Sequence, residues 1–123
     1  MVVVTRLRVP AEEAVTFRER AERTLAVLAA ARGYRSARLG RAVDDPELWV
    51  IASEWDGVGA WRRALAAFDV RVELTPLMAY AVDEPGAFEV LLAHDAAGGP
   101  VRRGGSDLAA DAATAGPGDR PSG

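Results

Sequence analysis

The chain has 123 residues, half of them apolar, a net charge of −3 and no cysteine, which allows about one domain with one modest core and excludes disulfides, thiolate zinc sites and a cysteine nucleophile. All 15 basic side chains are arginine and His94 is the single histidine, so a Schiff-base lysine is excluded, a multi-histidine metal site cannot be built within one chain, and a Ser-His-Asp triad could use only His94. The arginines are scattered, which argues against nucleic acid as a partner, and no run of ~18 apolar residues spans a membrane.

Val2 to Val9 has the β-branched content of a strand, with Val3, Thr5, Leu7 and Val9 on one face and Val2, Val4, Arg6 and Arg8 on the other. It lacks the basic region and small-residue cleavage site of a signal peptide, so the expected location is the cytoplasm. Pro10 fits the first turn of a helix, Glu12 and Glu13 favour its positive end, and Gly33 is a stop. The first helix is therefore expected over Pro10 to Arg32, with Ala14, Phe17, Ala21, Leu25 and Leu28 as its buried stripe and Arg18, Glu19, Glu22 and Arg23 facing water.

Tyr34 to Val43 alternates apolar and polar residues, and the turn formers Asp44, Asp45 and Pro46 join it to a second strand, Glu47 to Trp55. In that strand Leu48, Val50 and Ala52 share one face while Trp49, Ile51, Ser53 and Trp55 share the other, so both faces need cover. Asp56 is placed to cap a second helix carrying Val58, Trp61, Leu65 and Phe68. A short helix is expected over Asp69 to Leu74, stopped by Pro76, followed by a strand over Leu77 to Val82, a bulge at Asp83 to Gly86 and extended chain over Ala87 to Leu92. From about His94 the composition turns to Gly, Ala, Asp and Pro, with seven of the twelve glycines. We read residues 1–93 as the domain and 94–123 as a disordered tail, with a weak helix at Ser106 to Thr114.

The order β-α-β-β-α-β predicts an α+β fold, a ferredoxin-like sandwich whose antiparallel sheet is covered on one face by two helices. Val2, Val4, Ile51 and Trp49 or its neighbours would make the other face apolar, an unusually large patch for a monomer. A second copy is expected to cover it, giving a symmetric homodimer.

The hairpin ending in ELWVIASEW, the following GVGAWRRAL and the terminal DEPGAFEVL resemble the antibiotic biosynthesis monooxygenase family over about residues 1–92. The resemblance implies a dimeric α+β barrel and, from characterised members that oxygenate aromatic polyketides, quinols or haem, often without metal or flavin, a reaction with molecular oxygen that needs no cofactor. It places a small aromatic molecule in a water-poor cleft, with Trp55 and Trp61 as the aromatics holding it and Arg41, with Arg38 near by on the same strand, as the polar group beside it. Ile51 stands where related enzymes carry an asparagine four residues before the matching tryptophan, which argues against haem degradation by an Asn-His-Trp arrangement. Arginine stabilises a phenolate well but is a poor base, so the general base is unassigned. Two other readings stay open: a non-catalytic barrel dimer binding a hydrophobic ligand or partner, and a ferredoxin-like isomerase or cyclase.

Overall fold

The computed structural model describes residues 1–105, which divide into a unit over Met1–Phe88 and a second beginning at Glu89. In the first unit β1 (Val2–Arg8) leads through a 3-10 turn at Ala11–Glu13 into α1 (Ala14–Ala29); β2 (Tyr34–Ala42), β3 (Asp45–Trp55), α2 (Val58–Ala66), α3 (Phe68–Met78) and β4 (Ala87–Phe88) follow. The sheet order is β2-β3-β1-β4, with every neighbouring pair antiparallel. It is an open sheet with β2 and β4 at its edges, the α+β arrangement expected from the order of elements.

Alternation along the strands sets the two faces. Val3, Leu7, Trp49, Ile51, Ser53 and Trp55 are all buried, and the register pairs Val3 with Ser53, Thr5 with Ile51 and Leu7 with Trp49, so they share the core face. From α1 come Phe17, Ala21, Thr24 and Leu28, and from α3 Val70 and Leu77. Thr24 is an addition to the expected helical stripe. Its hydroxyl is buried at no cost in unmade bonds, because it lies 3.0 Å from the carbonyls of both Arg20 and Glu73 and can donate to either, which also ties α1 to α3.

Three expectations are corrected. Trp49 and Ile51 do not contribute to the opposite sheet face: that face carries Val2, Val4, Leu48, Val50 and Ala52, half-buried, together with Arg6, Arg8 and Arg38, exposed. Asp56 caps no helix, since α2 starts from an extended Gly57 without a side-chain cap and the Asp56 carboxylate instead accepts from Arg35 at 2.7 Å. Pro76 does not stop α3, which runs on to Met78. Proline removes only its own N–H and sits in the last turn, while helical continuation places Leu77 in the core with no exposed surface.

The expected strand over Leu77 to Val82 thereby shrinks to one bridge, Ala81 to Leu7, flanked by Arg8 N to Tyr80 O at 2.8 Å and Val82 N to Arg6 O at 2.8 Å. After the turn at Asp83–Gly86 the chain rejoins β1, with Phe88 opposite Val2 and Ala87 opposite Val3. Gly86 is needed for the approach: a Cβ there would stand 2.9 Å from the Val4 carbonyl oxygen.

The second unit contains a short antiparallel hairpin of β5 (Leu92–His94) and β6 (Val101–Arg103), in which Arg102 donates to Asp95 at 3.0 Å. Residues 98–105, assigned to the tail on composition, thus include a paired strand. The helix expected at Ser106 to Thr114 lies outside the described residues.

Candidate functional site

Two aromatic groups stand on the core face of the one sheet. In the first, Trp55 is edge-on to Tyr34 with centroids 5.6 Å apart and lies 5.3 Å from Trp61. Trp55 is only 1% exposed and its Nε1 donates to Ser53 Oγ at 2.9 Å, so both its ring faces and its polar handle are used within the fold. A space on the same core face, lined in part by Ile51, Ser53, Trp61, Thr24, Leu74 and Leu77 but not by Trp55, amounts to about 20 Å³. That is room for about one water molecule and no more.

The second group is built on Phe17, edge-on to Trp49 at 5.2 Å and to Tyr80 at 5.4 Å. Tyr80 donates its hydroxyl to Glu13 at 2.6 Å; that hydrogen bond, with burial adding to it, pushes the phenol above its usual pKa. Beyond Trp49 a pocket of about 350 Å³ opens between α1 and the β2–β3 hairpin, lined by Arg18, Glu22, Leu25, Leu39, Gly40, Arg41 and Trp49. This lies within the ~300–1,000 Å³ typical of small-molecule sites.

The register explains how the pocket is assembled. Arg41 is directly opposite Trp49, and its guanidinium carbon sits 5.0 Å from the Trp49 ring centroid, a cation–π distance. Leu39, opposite Ile51, forms the apolar wall beside it. Gly40 contributes no side chain. From α1, Arg18 and Glu22 stand one turn apart on the same helical face and Leu25 follows one turn later. Neither Arg18, Glu22 nor Arg41 is among the ion pairs of the described residues, which join Arg6 to Glu84, Arg8 to Asp45, Arg23 to Glu73, Arg35 to Asp56 and Arg102 to Asp95. Trp49 is 6% exposed and its Nε1 is a buried donor with no acceptor among the described residues.

Of the residues singled out from sequence, Arg41 lines this open pocket. Trp61 and Ile51 line the small space, and Trp55 is packed against Trp61. Arg38 is opposite Ala52, whose neighbours in β3, Ile51 and Ser53, are the core-facing ones, so it lies on the other side of the sheet from Arg41. Sequence reasoning missed Arg18, Glu22, Leu25, Leu39 and Trp49. Trp49 was within reach, because the expected three-residue turn over Asp44, Asp45 and Pro46 sets it against Arg41, a pairing that the observed turn at Val43 and Asp44 reaches through a register shift after Arg41; the α1 residues look like an ordinary solvated helix face.

Among the described residues no cluster of three metal-binding side chains occurs, and no helix is long and apolar enough to cross a membrane. The arrangement of fold and pocket defines a ferredoxin-like α+β protein with a small-molecule-sized pocket between its first helix and its sheet. The chain belongs to the antibiotic biosynthesis monooxygenase family, whose model matches residues 1–72, a stretch that includes every residue lining the open pocket.

SnoaB, a cofactor-independent oxygenase from Streptomyces nogalater, is similar at 28% identity and a TM-score of 0.65, over 80% of this chain and 96% of that one. A structure of a SnoaB mutant with one asparagine replaced by alanine matches at 30% identity and a TM-score of 0.64, over 72% of this chain and 90% of that one. A putative antibiotic biosynthesis monooxygenase from Bordetella bronchiseptica shares the fold at 14% identity and a TM-score of 0.58, over 87% of this chain and 96% of that one. No curated protein sequence matches significantly.

Proposed function

We propose that this protein binds a flat, electron-rich aromatic molecule of the phenol or anthrone class in the Arg41–Trp49 pocket and oxidises it with molecular oxygen, without a cofactor. The observation that carries the reading is the Arg41 guanidinium held over the Trp49 ring in an open pocket and outside the ion pairs of the described residues. Family membership and the likeness to SnoaB support the reaction class. Trp49, Leu25 and Leu39 offer apolar walls. Arg41 supplies charge-assisted hydrogen bonds to an oxygen that becomes negative as the substrate ionises; they strengthen as the reaction proceeds. Dioxygen then takes electrons from that anion directly.

In this reading the working form is a cytoplasmic homodimer. Val2, Val4, Leu48, Val50 and Ala52 on the uncovered sheet face supply its apolar contact, and the arginines on the same face limit how that contact forms. Ile51, opposite Leu39 and in one core cluster with Trp49, acts as packing behind the pocket, and Trp61 packs on Trp55 in the other cluster. The test is oxygen uptake with 1,8-dihydroxyanthrone under metal chelation, alongside native mass spectrometry. Uptake matched to substrate loss, lowered in Arg41→Ala, is the expected result. Anthrone binding that quenches tryptophan fluorescence while oxygen stays constant would replace the oxygenase with a ligand-binding dimer, a reading favoured by the mere 20 Å³ of space at Ile51.

A further inference from the structure

The pocket needs a proton acceptor before an anthrone or phenol can react with oxygen, and its walls restrict the choice. Of the seven lining residues, leucine, glycine and tryptophan cannot accept a proton at neutral pH, and arginine is already protonated. Glu22 is the remaining one. It stands on α1, on the wall across from Arg41 in β2, is absent from the ion pairs of the described residues, and is exposed enough to pass a proton on to water.

We infer that Glu22 is the general base of this site, acting on a carbon acid whose oxygen is held by Arg41; this rests on the proposed reading of the pocket. In an anthrone the acidic methylene and the carbonyl oxygen lie at opposite edges of the central ring. A base on one wall and a cation on the other match that layout. The C–H bond breaks, its proton passes to a Glu22 carboxylate oxygen, and the electron pair moves through the ring onto the carbonyl oxygen, where Arg41 meets the new charge. Dioxygen then oxidises the anion: the methylene becomes a second carbonyl, one oxygen atom enters the product, and the other leaves as water with both methylene hydrogens. Arg18, one turn before Glu22, keeps a second cation at the same mouth.

The proton step can be read without oxygen. In anaerobic D2O, exchange of the methylene hydrogens of 1,8-dihydroxyanthrone is followed by proton NMR with wild type, Glu22→Gln, Glu22→Asp and, as a surface-charge control on the same helix, Glu19→Gln. Wild type and the control should accelerate exchange equally, Glu22→Gln should lose about 100-fold of that acceleration, and Glu22→Asp should keep an intermediate rate. Circular dichroism and anthrone affinity should be unchanged in Glu22→Gln, whose rate should recover as pH rises and hydroxide replaces the lost base.

Exchange by Glu22→Gln at the wild-type rate would overturn the assignment, and so would a wild type no faster than buffer. The oxygenase reading fails separately. Exchange that depends on Glu22 with no oxygen uptake in air keeps the base and removes the oxygenase, whereas oxygen uptake unaffected by Glu22→Gln does the reverse.

Discussion

The two aromatic groups on the core face of the sheet use the same residue types to opposite ends. Around Trp55 the rings of Tyr34 and Trp61 close in and Ser53 takes the indole N–H, and the space that Ser53 and Trp61 help to line holds only about 20 Å³. Around Trp49 stand Phe17, itself edge-on to Tyr80, and an open pocket of about 350 Å³ with Arg41 above the ring, while the buried indole N–H has no acceptor among the described residues. An indole that has spent its faces and its donor on neighbours is packing. One that lines a pocket of small-molecule size is better placed to meet a ligand.

The sharpest way to break this contrast is Trp55→Ala. If Trp55 is packing, the substitution should destabilise the fold by about 3–5 kcal/mol in chemical denaturation; a stable variant that has lost only anthrone binding would make Trp55 a substrate platform instead. Arg41→Ala should do the converse. Affinity for an anthrone anion should fall about 10- to 100-fold, the size of lost charge-assisted hydrogen bonds, while stability changes by only about 0.5–1 kcal/mol from the cation–π contact. Equilibrium denaturation and fluorescence titration on the same sample separate the two.

A smaller effect comes from Tyr80, which buttresses Phe17 and so the floor of the pocket. Its phenol pKa is raised above 10.0 in the folded chain, first by the hydrogen bond to Glu13, so the folded state holds the proton that the unfolded state releases. Stability from this bond is therefore complete below pH 10 and is lost as pH rises through the raised value. Denaturation midpoints should fall more steeply above pH 10 in wild type than in Tyr80→Phe. The smallest effect is expected from Arg38→Ala: lying on the opposite sheet face, it should leave ligand affinity within twofold, and a larger loss would mean that the pocket extends through or around the sheet.

Much of the fold was legible because strands announce their faces. The alternation in Val2 to Val9 and in Leu48 to Trp55 separates core from outer residues as the register does, and Phe17, Ala21 and Leu28 recur at helical spacing. The α3 region was not, because Val70, Val72 and Leu74 alternate like a strand and Pro76 reads as a stop; only packing reveals that Val70 and Leu77, two turns apart, are the buried pair. The candidate site was legible only in part, through Arg41. A pocket is the volume that three elements leave unfilled, and no local pattern records it. Arg18 and Glu22 become site residues solely because Gly40 and the Arg41–Trp49 pair stand across from them.

Strand β2 is an edge of the sheet, and it carries Arg35, Arg38 and Arg41 at intervals of three, so guanidinium groups project from both of its faces. Arg35 is paired with Asp56, but a second molecule adding its own β2 alongside would bring the Arg38 and Arg41 charges of both copies within a few strand spacings of one another. Filament growth along that edge is therefore electrostatically penalised, and the penalty weakens with added salt.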